Sequence, residues 1–176
     1  ALLIGAVGLL EPRKGHTVLL RAFPEIVKRY PRAHLVIIGC DASGHQGYGQ
    51  QLQELAVTLG IASHVTLTGF LDEIPAVLSG LEMCVMPVIQ PEGLGRVAIE
   101  AGAMRCPLVA TPLGGLREIV EDQVTGLLVP PGDPSALAHA ILRLLDDPPL
   151  AGQLGRAARQ QAEKRFSLRA MMETLQ

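Results

Sequence analysis

The chain has 176 residues, 48% of them hydrophobic and 18% charged. It is therefore expected to fold, as one domain covering residues 1–176, rather than stay disordered. Fifteen Lys and Arg against 17 Asp and Glu give a formal charge of −2, which excludes a general binder of nucleic acid or anionic membrane.

Aromatic residues make up 3% and Trp is absent, so the core must be aliphatic. Val, Ile, Leu and Ala without aromatics suit a parallel sheet buried on both faces by helices. No apolar run approaches the ~20 residues of a membrane span. No basic segment precedes the apolar opening, so no secretory signal is read and a cytoplasmic location is expected. The chain starts directly on a strand-like run, the pattern expected of a fragment. Cys40, Cys84 and Cys106 are odd in number, lie far apart and form no CxxC. Buried, reduced thiols are the expected state.

Short apolar runs predict strands at Leu2–Val7, His34–Ile38, Val65–Thr68, Met83–Met86, Leu108–Ala110 and Gly126–Val129. Helices are predicted between them at Thr17–Arg29, Tyr48–Leu59, Glu73–Leu78, Gly95–Met104 and Leu116–Glu121. Three more follow the last strand, near Pro134–Leu145, Leu150–Arg165 and Leu168–Leu175. In the first helix Val18, Leu19, Ala22, Ile26 and Val27 recur at helical spacing, and Pro24 predicts a kink. Asp72 and Asp133 are the expected caps of the helices that follow them, and Pro134 suits a first helical position. Pro148-Pro149 reads as a breaker. Strict alternation of strand and helix implies βαβ crossovers. The fold class is α/β, a Rossmann-like doubly wound parallel sheet of six strands that ends in helices. Ligands of such sheets sit at the carboxyl ends of the strands, so the loops after the strands carry the search.

The first of these loops reads Gly8-Leu9-Leu10-Glu11-Pro12-Arg13-Lys14-Gly15-His16. Arg13 and Lys14 stand near a helix start, where cations and free amides favour an anion. A solvated pair of cations on a turn is the alternative. Neither GxxxxGK[ST] nor GxGxxG is present. The loop after the fourth strand runs from Pro87 to Glu100. Gly93 and Gly95 allow close backbone approach, and the helix behind them opens with unpartnered N–H groups, an arrangement suited to phosphate. Glu92 lies on the loop and Glu100 more than a turn into the helix. Two carboxylates there suit hydroxyls at either end of a phosphate; a loop cap and a solvent-facing helix residue are the alternative. Gly114-Gly115 repeats the glycine-helix pattern, with Glu118 as a first-turn residue; a tight turn explains it equally well. The five histidines do not cluster, HExxH and GxSxG are absent, and no metal site is read. Met171-Met172 reads as packing surface.

Together these segments resemble the GT4 family of GT-B glycosyltransferases. The resemblance covers essentially the whole chain, in order: Arg13-Lys14-Gly15-His16, Ala22-Phe23, Tyr30-Pro31, Leu35 to Gly39, Val65 to Gly69, the E-x7-E motif Glu92–Glu100, Ala101-Gly102, Pro107, Gly114 to Glu118, Gly126 to Val129 and Phe166-Ser167. It implies a nucleotide-sugar donor domain that is the C-terminal half of a two-domain, metal-independent retaining enzyme without a cofactor. By that resemblance Lys14 would neutralise the donor diphosphate, together with the amides of Gly95, Arg96 and Val97 in the Gly93-Leu94-Gly95 loop. Glu100 would hold the ribose hydroxyls and Glu92 the transferred sugar. Phe70 and Leu71 would flank the base, with the Gly39-Cys40-Asp41 turn opposite. Lys14 and Glu92 are the expected catalytic pair.

Two departures stand out. Leu9 replaces an Arg that usually partners the Lys, with Arg13 as its candidate substitute, and Gly102 replaces a bulkier residue. The acceptor site would belong to an N-terminal domain not represented here, so the fragment is expected to bind donor but not to transfer sugar alone. A non-catalytic nucleotide or nucleotide-sugar binding module is the alternative, for which Leu9 is the best support. A third reading is another phosphate-handling enzyme of similar fold, such as a sugar-nucleotide epimerase or a glycogen phosphorylase relative; the Glu92–Glu100 spacing with Lys14 disfavours it.

Overall fold

The computed structural model describes residues 1–91 and 93–166. Glu92, Ser167, the helix expected at Leu168–Leu175 and Met171-Met172 lie outside the described residues.

Six strands, β1 Leu2–Val7, β2 Ala33–Ile38, β3 Val65–Gly69, β4 Met83–Met86, β5 Leu108–Ala110 and β6 Leu127–Leu128, form one sheet. All pair in parallel, in the order β3-β2-β1-β4-β5-β6. The helices are α1 His16–Arg29, α2 Tyr48–Thr58, α3 Ile74–Ser79, α4 Arg96–Ala103, α5 Leu116–Ile119, α6 Pro134–Asp146 and α7 Pro148–Arg165. Short 3-10 turns occupy Pro12–Lys14 and Ala62–His64.

The sheet is buried from both sides. In β4, Met83 and Val85 join one apolar cluster with Leu19, Phe23 and Ile141. Cys84 and Met86 join a second, with Ala98, Leu108 and Leu116. Alternate residues of a strand face opposite ways, so the two clusters are the two sides of the sheet. α1 and α6 cover one side, α4 and α5 the other. Strand order reverses between β1 and β4, because β1 takes β2 on one edge and β4 on the other. The carboxyl ends of β1 and β4 therefore open a crevice, which is where this topology places ligands.

Several local expectations are corrected. α1 passes through Pro24 without a break; one lost backbone hydrogen bond is outweighed by Phe23 and Ile26, both fully buried on either side of it. Asp72 does not cap α3, which starts at Ile74 behind Glu73 with no side-chain cap. Asp72 stands one residue too early, since a cap directly precedes the first helical residue. Asp133 does cap α6, accepting from the Ala136 N–H at 2.9 Å. Pro148-Pro149 starts a helix instead of only ending one: Asp147 accepts from the Leu150 N–H at 2.9 Å, and α7 begins at Pro148. A proline early in the first turn gives up a donor that has no helical partner anyway. β6 is two residues rather than four. Cys84 and Cys106 are buried free thiols, and burial pushes Cys106 up to about 12. Cys40 is free but exposed, because it lies on the loop after β2.

Candidate functional site

The loops after β1, β2 and β3 are laced together by backbone hydrogen bonds. Gly8 N–H donates to the Ile38 carbonyl at 2.9 Å, Leu10 N–H to Cys40 at 2.8 Å, and Gly39 N–H to Gly69 at 2.9 Å. Gly39 passes so close to β1 that a Cβ on it would lie 1.9 Å from the Gly8 carbonyl oxygen. No other residue fits there. Asp41 accepts from the Gly47 and Gly49 N–H groups at 2.6 and 2.8 Å, which fixes the loop leading into α2.

These loops and the first turns of α4 enclose a cavity of about 330 Å³. Of the residues singled out from sequence, Gly39, Phe70, Leu71, Arg96, Val97 and Glu100 all line it. Gly8, Leu9 and Cys40 complete the polar and exposed part of the wall, and Val7, Ile38 and Ile74 the apolar part. Sequence reasoning missed these last three: Val7 and Ile38 are the final residues of strands, and the search took up only the loops that follow them, although the carboxyl ends of the strands were the signal available. Phe70 and Leu9 are 71% and 51% exposed, so the apolar wall is open to a ligand.

The loop from Gly93 to Gly95 brings the chain into α4. Gly95 takes a left-handed conformation at φ 62°, and no side chain caps the helix. The first amides of α4 are thus left to whatever lies before them. Glu100, the fifth residue of α4, reaches the cavity wall, and its Oε1 is 3.7 Å from Arg96 Nε. Gly115 supports this loop instead of forming a second anion site. Its N–H donates to the Gly93 carbonyl at 3.2 Å, and a Cβ on it would lie 2.2 Å from that oxygen. Gly93, Leu94 and Gly95 do not line the cavity; Leu94 is exposed. Glu92 lies outside the described residues.

Lys14 ends the 3-10 turn that precedes α1. Its Nζ lies 3.7 Å from the point where a Cβ on Gly8 would stand, so the ammonium lies beside the cavity wall. Lys14 also lines a second, much smaller cavity of about 10 Å³, shared with His16, and Val7 belongs to both walls. Arg13 Nη2 lies 2.7 Å from Glu11 Oε1. Glu11 is nearly buried, so Arg13 is held by a carboxylate that sequence reasoning passed over. The spacing of the two in one tight turn was the available signal. His16 was noted but given no role. It is 2% exposed, its Nδ1 has no hydrogen-bond partner, and burial first, then the Lys14 charge, push its pKa down to about 4. Among the described residues no three His, Cys, Asp or Glu side chains gather as a metal site, and no helix is long and apolar enough to cross a membrane.

A doubly wound sheet with an apolar cleft, a carboxylate, a cation and an uncapped helix at its switch point defines a Rossmann-like domain of the kind found in each half of GT-B enzymes. The chain belongs to the group 1 glycosyl transferases: residues 1–147 match the model of that family. It is 38% identical over 158 residues to a GDP-mannose-dependent alpha-(1-6)-phosphatidylinositol monomannoside mannosyltransferase of Mycolicibacterium smegmatis, covering 85% of this chain and 40% of that one. It is 38% identical over 176 residues to a D-inositol 3-phosphate glycosyltransferase of Corynebacterium jeikeium, covering 98% and 42%. The chain thus spans about two-fifths of the length of these relatives. Among solved structures, Anabaena HepE in complex with UDP-glucose superposes with a TM-score of 0.91 at 29% identity, over 99% of this chain and 48% of that one. The C-terminal domain of a group 1 family protein from Francisella tularensis superposes with a TM-score of 0.86 at 25% identity, covering 94% and 86%.

Proposed function

We propose that this chain is the donor-binding domain of a retaining glycosyltransferase and takes a nucleotide-diphosphate sugar. One observation carries the reading. The 330 Å³ cavity has an exposed aromatic and apolar wall at Phe70 and Leu71 and a carboxylate at Glu100, with Lys14 and the uncapped start of α4 beside it. A base, a ribose and a diphosphate present those three chemistries in that order. The structure of HepE with UDP-glucose supports the same reading.

Phe70 and Leu71 flank the base and Glu100 accepts from the ribose hydroxyls. Lys14 and the amides of Gly95, Arg96 and Val97 hold the diphosphate, and Glu92 positions the transferred sugar. As the bond from the anomeric carbon to the diphosphate breaks, negative charge grows on the leaving oxygen. A fixed cation and a helix N-terminus aimed at that oxygen stabilise the transition state more than the bound donor. This assignment calls on no metal and no cofactor. The acceptor falls to a second, N-terminal domain, so transfer requires both halves.

A non-catalytic nucleotide-binding module is the second reading. Leu9 favours it, because an exposed leucine stands in the wall and Arg13 is paired with Glu11. Calorimetric titration of the chain with UDP, GDP and ADP, then with the corresponding sugar nucleotides, tests the site. A donor domain binds at least one sugar nucleotide more tightly than its free diphosphate or equally well. A chain that binds none of the six overturns the reading, and one that binds diphosphates but rejects every sugar nucleotide favours the module.

A further inference from the structure

We propose that Thr111 is a positioning residue for the cavity edge: its buried hydroxyl starts a relay of three hydrogen bonds that crosses the switch point and ends at the turn carrying Lys14. The consequence for a diphosphate rests on the reading given above; the relay itself does not.

Each link is a bond between named atoms. Thr111 Oγ1 donates to the Val88 carbonyl at 2.7 Å. The same peptide group carries the Ile89 N–H, which donates to the Arg13 carbonyl at 2.9 Å. That carbonyl shares its peptide group with the Lys14 N–H, which donates to the Glu11 carbonyl at 3.1 Å. Every acceptor is a carbonyl, which cannot donate, so all three bonds run the same way. Bonds strung like this polarise one another, and the more so away from water. Thr111, where the relay starts, is 1% exposed.

The hydroxyl is held by the sheet. Thr111 directly follows β5, and its own N–H donates to the Met86 carbonyl at 3.2 Å. The segment it grips is a loop. β4 ends at Met86, so no strand ladder orients the peptide group between Val88 and Ile89. Thr111 fixes that group at its oxygen, and the Arg13 carbonyl fixes it at its N–H. Without the hydroxyl one of these two clamps is gone. The peptide plane can then swing, the bond to Arg13 weakens, and the turn that carries Lys14 loses its tie to the loop that feeds α4. Gly15 still brings the two loops together, since a Cβ on it would lie 1.8 Å from the Pro87 oxygen. The relay therefore sets orientation, while the glycine sets proximity.

The test compares Thr111→Val, which keeps the shape and removes the hydroxyl, with Thr111→Ser, which keeps the hydroxyl and removes a buried methyl. Amide hydrogen exchange in the free chain, followed by NMR, reads the relay. Titration with UDP and uridine reads its consequence, and thermal melting checks the fold. Thr111→Val is expected to speed exchange about tenfold at Ile89 and about threefold at Lys14, and to leave Cys84, at the other end of β4, unchanged. UDP should bind about fivefold more weakly, and uridine as before. Thr111→Ser should stay within about twofold of wild type in all of these, because the donor is kept. Unchanged exchange at Ile89 in a folded Thr111→Val, exchange speeded equally at Cys84, or equal effects of Thr111→Val and Thr111→Ser would each overturn the proposal. So would a faster Ile89 amide with unchanged UDP affinity. Should Thr111→Val fail to fold, the wild-type chain decides: its Thr111 hydroxyl proton should be visible by NMR and protected, and one that exchanges freely with water overturns the relay. Should the wild-type chain bind no UDP, the donor-site reading fails, and the exchange arm still decides the relay.

Discussion

The backbone N–H of Ile89 donates to the carbonyl of Arg13 at 2.9 Å. It joins the loop after β1 to the loop after β4, across the point where strand order reverses. The loop that carries Lys14 and the loop that feeds α4 therefore act as one rigid edge of the cavity. Thr111 Oγ1 extends this edge to the third loop by donating to the Val88 carbonyl at 2.7 Å. If Lys14 and the first amides of α4 hold the diphosphate as proposed, this tie keeps the two loops that carry them together, as electrostatic stabilisation of a departing anion would require.

Lys14→Ala should weaken UDP strongly and leave uridine unaffected. A hydrogen bond to a charged group contributes about 1.5–3 kcal/mol, so the expected loss is about tenfold to a hundredfold. Calorimetry with both ligands measures it. Equal losses for UDP and uridine would mean that Lys14 supports the cavity without touching the diphosphate.

Glu100→Ala should act at the opposite end. Its contact with Arg96 is long, at 3.7 Å, and largely exposed on the Arg side, so removing it should change stability by less than about 0.5 kcal/mol. Affinity for UDP should fall about tenfold as a charge-assisted bond to the ribose is lost. Wild-type chain should prefer UDP over its 2′,3′-dideoxy analogue, and the variant should not. A variant that keeps the preference would remove Glu100 from the ribose.

The sequence carried the fold well where burial is two-sided. Runs such as Leu35 to Ile38 and Met83 to Met86 have no other place than inside a parallel sheet, and their order in the chain implies the crossovers. Cap chemistry was legible at Asp133 and missed at Asp147, because Pro148-Pro149 has the same letters whether it ends one helix or begins another. The cavity was legible in part. Glu100 was announced by its place in the helix behind the Gly93–Gly95 loop and Gly39 by the family resemblance, while Ile74 and Val7 reach the wall only through tertiary placement. Burial hid the rest. Nothing in Lys14-Gly15-His16 says that the histidine points inward, and the pairing of Arg13 with Glu11 depends on the tight turn between them.

Gly15→Ala should be destabilising well beyond an ordinary glycine replacement. Gly15 has φ 73°, and an added Cβ would lie 1.8 Å from the Pro87 carbonyl oxygen. Backbone must move on both sides of the cavity edge, and the cost expected is at least about 2 kcal/mol. Gly93→Ala is the contrast, since a Cβ there meets nothing within 4 Å. Urea denaturation should find the second variant within about 0.5 kcal/mol of wild type. Similar midpoints for the two variants would contradict the close approach of Gly15 to the Pro87 carbonyl.

His16 should make the fold sensitive to acid. Its folded pKa is pushed down to about 4, chiefly by burial and then by Lys14, whereas an imidazole in the unfolded chain titrates near ~6.5. Below pH ~6.5 the unfolded chain binds a proton that the folded one refuses, so stability drops as pH falls. The drop begins near the unfolded value and reaches about 3 kcal/mol by the folded one; above ~6.5 His16 adds no slope. His34 is also lowered, by burial and by His64, and contributes in the same direction, so the His16 share is read as a difference between two chains. His16→Asn has no titrating ring and should flatten the fall of stability between pH 6.5 and 4. Urea midpoints for wild type and variant across that window measure it. Parallel curves would mean that the imidazole stays protonated inside the fold.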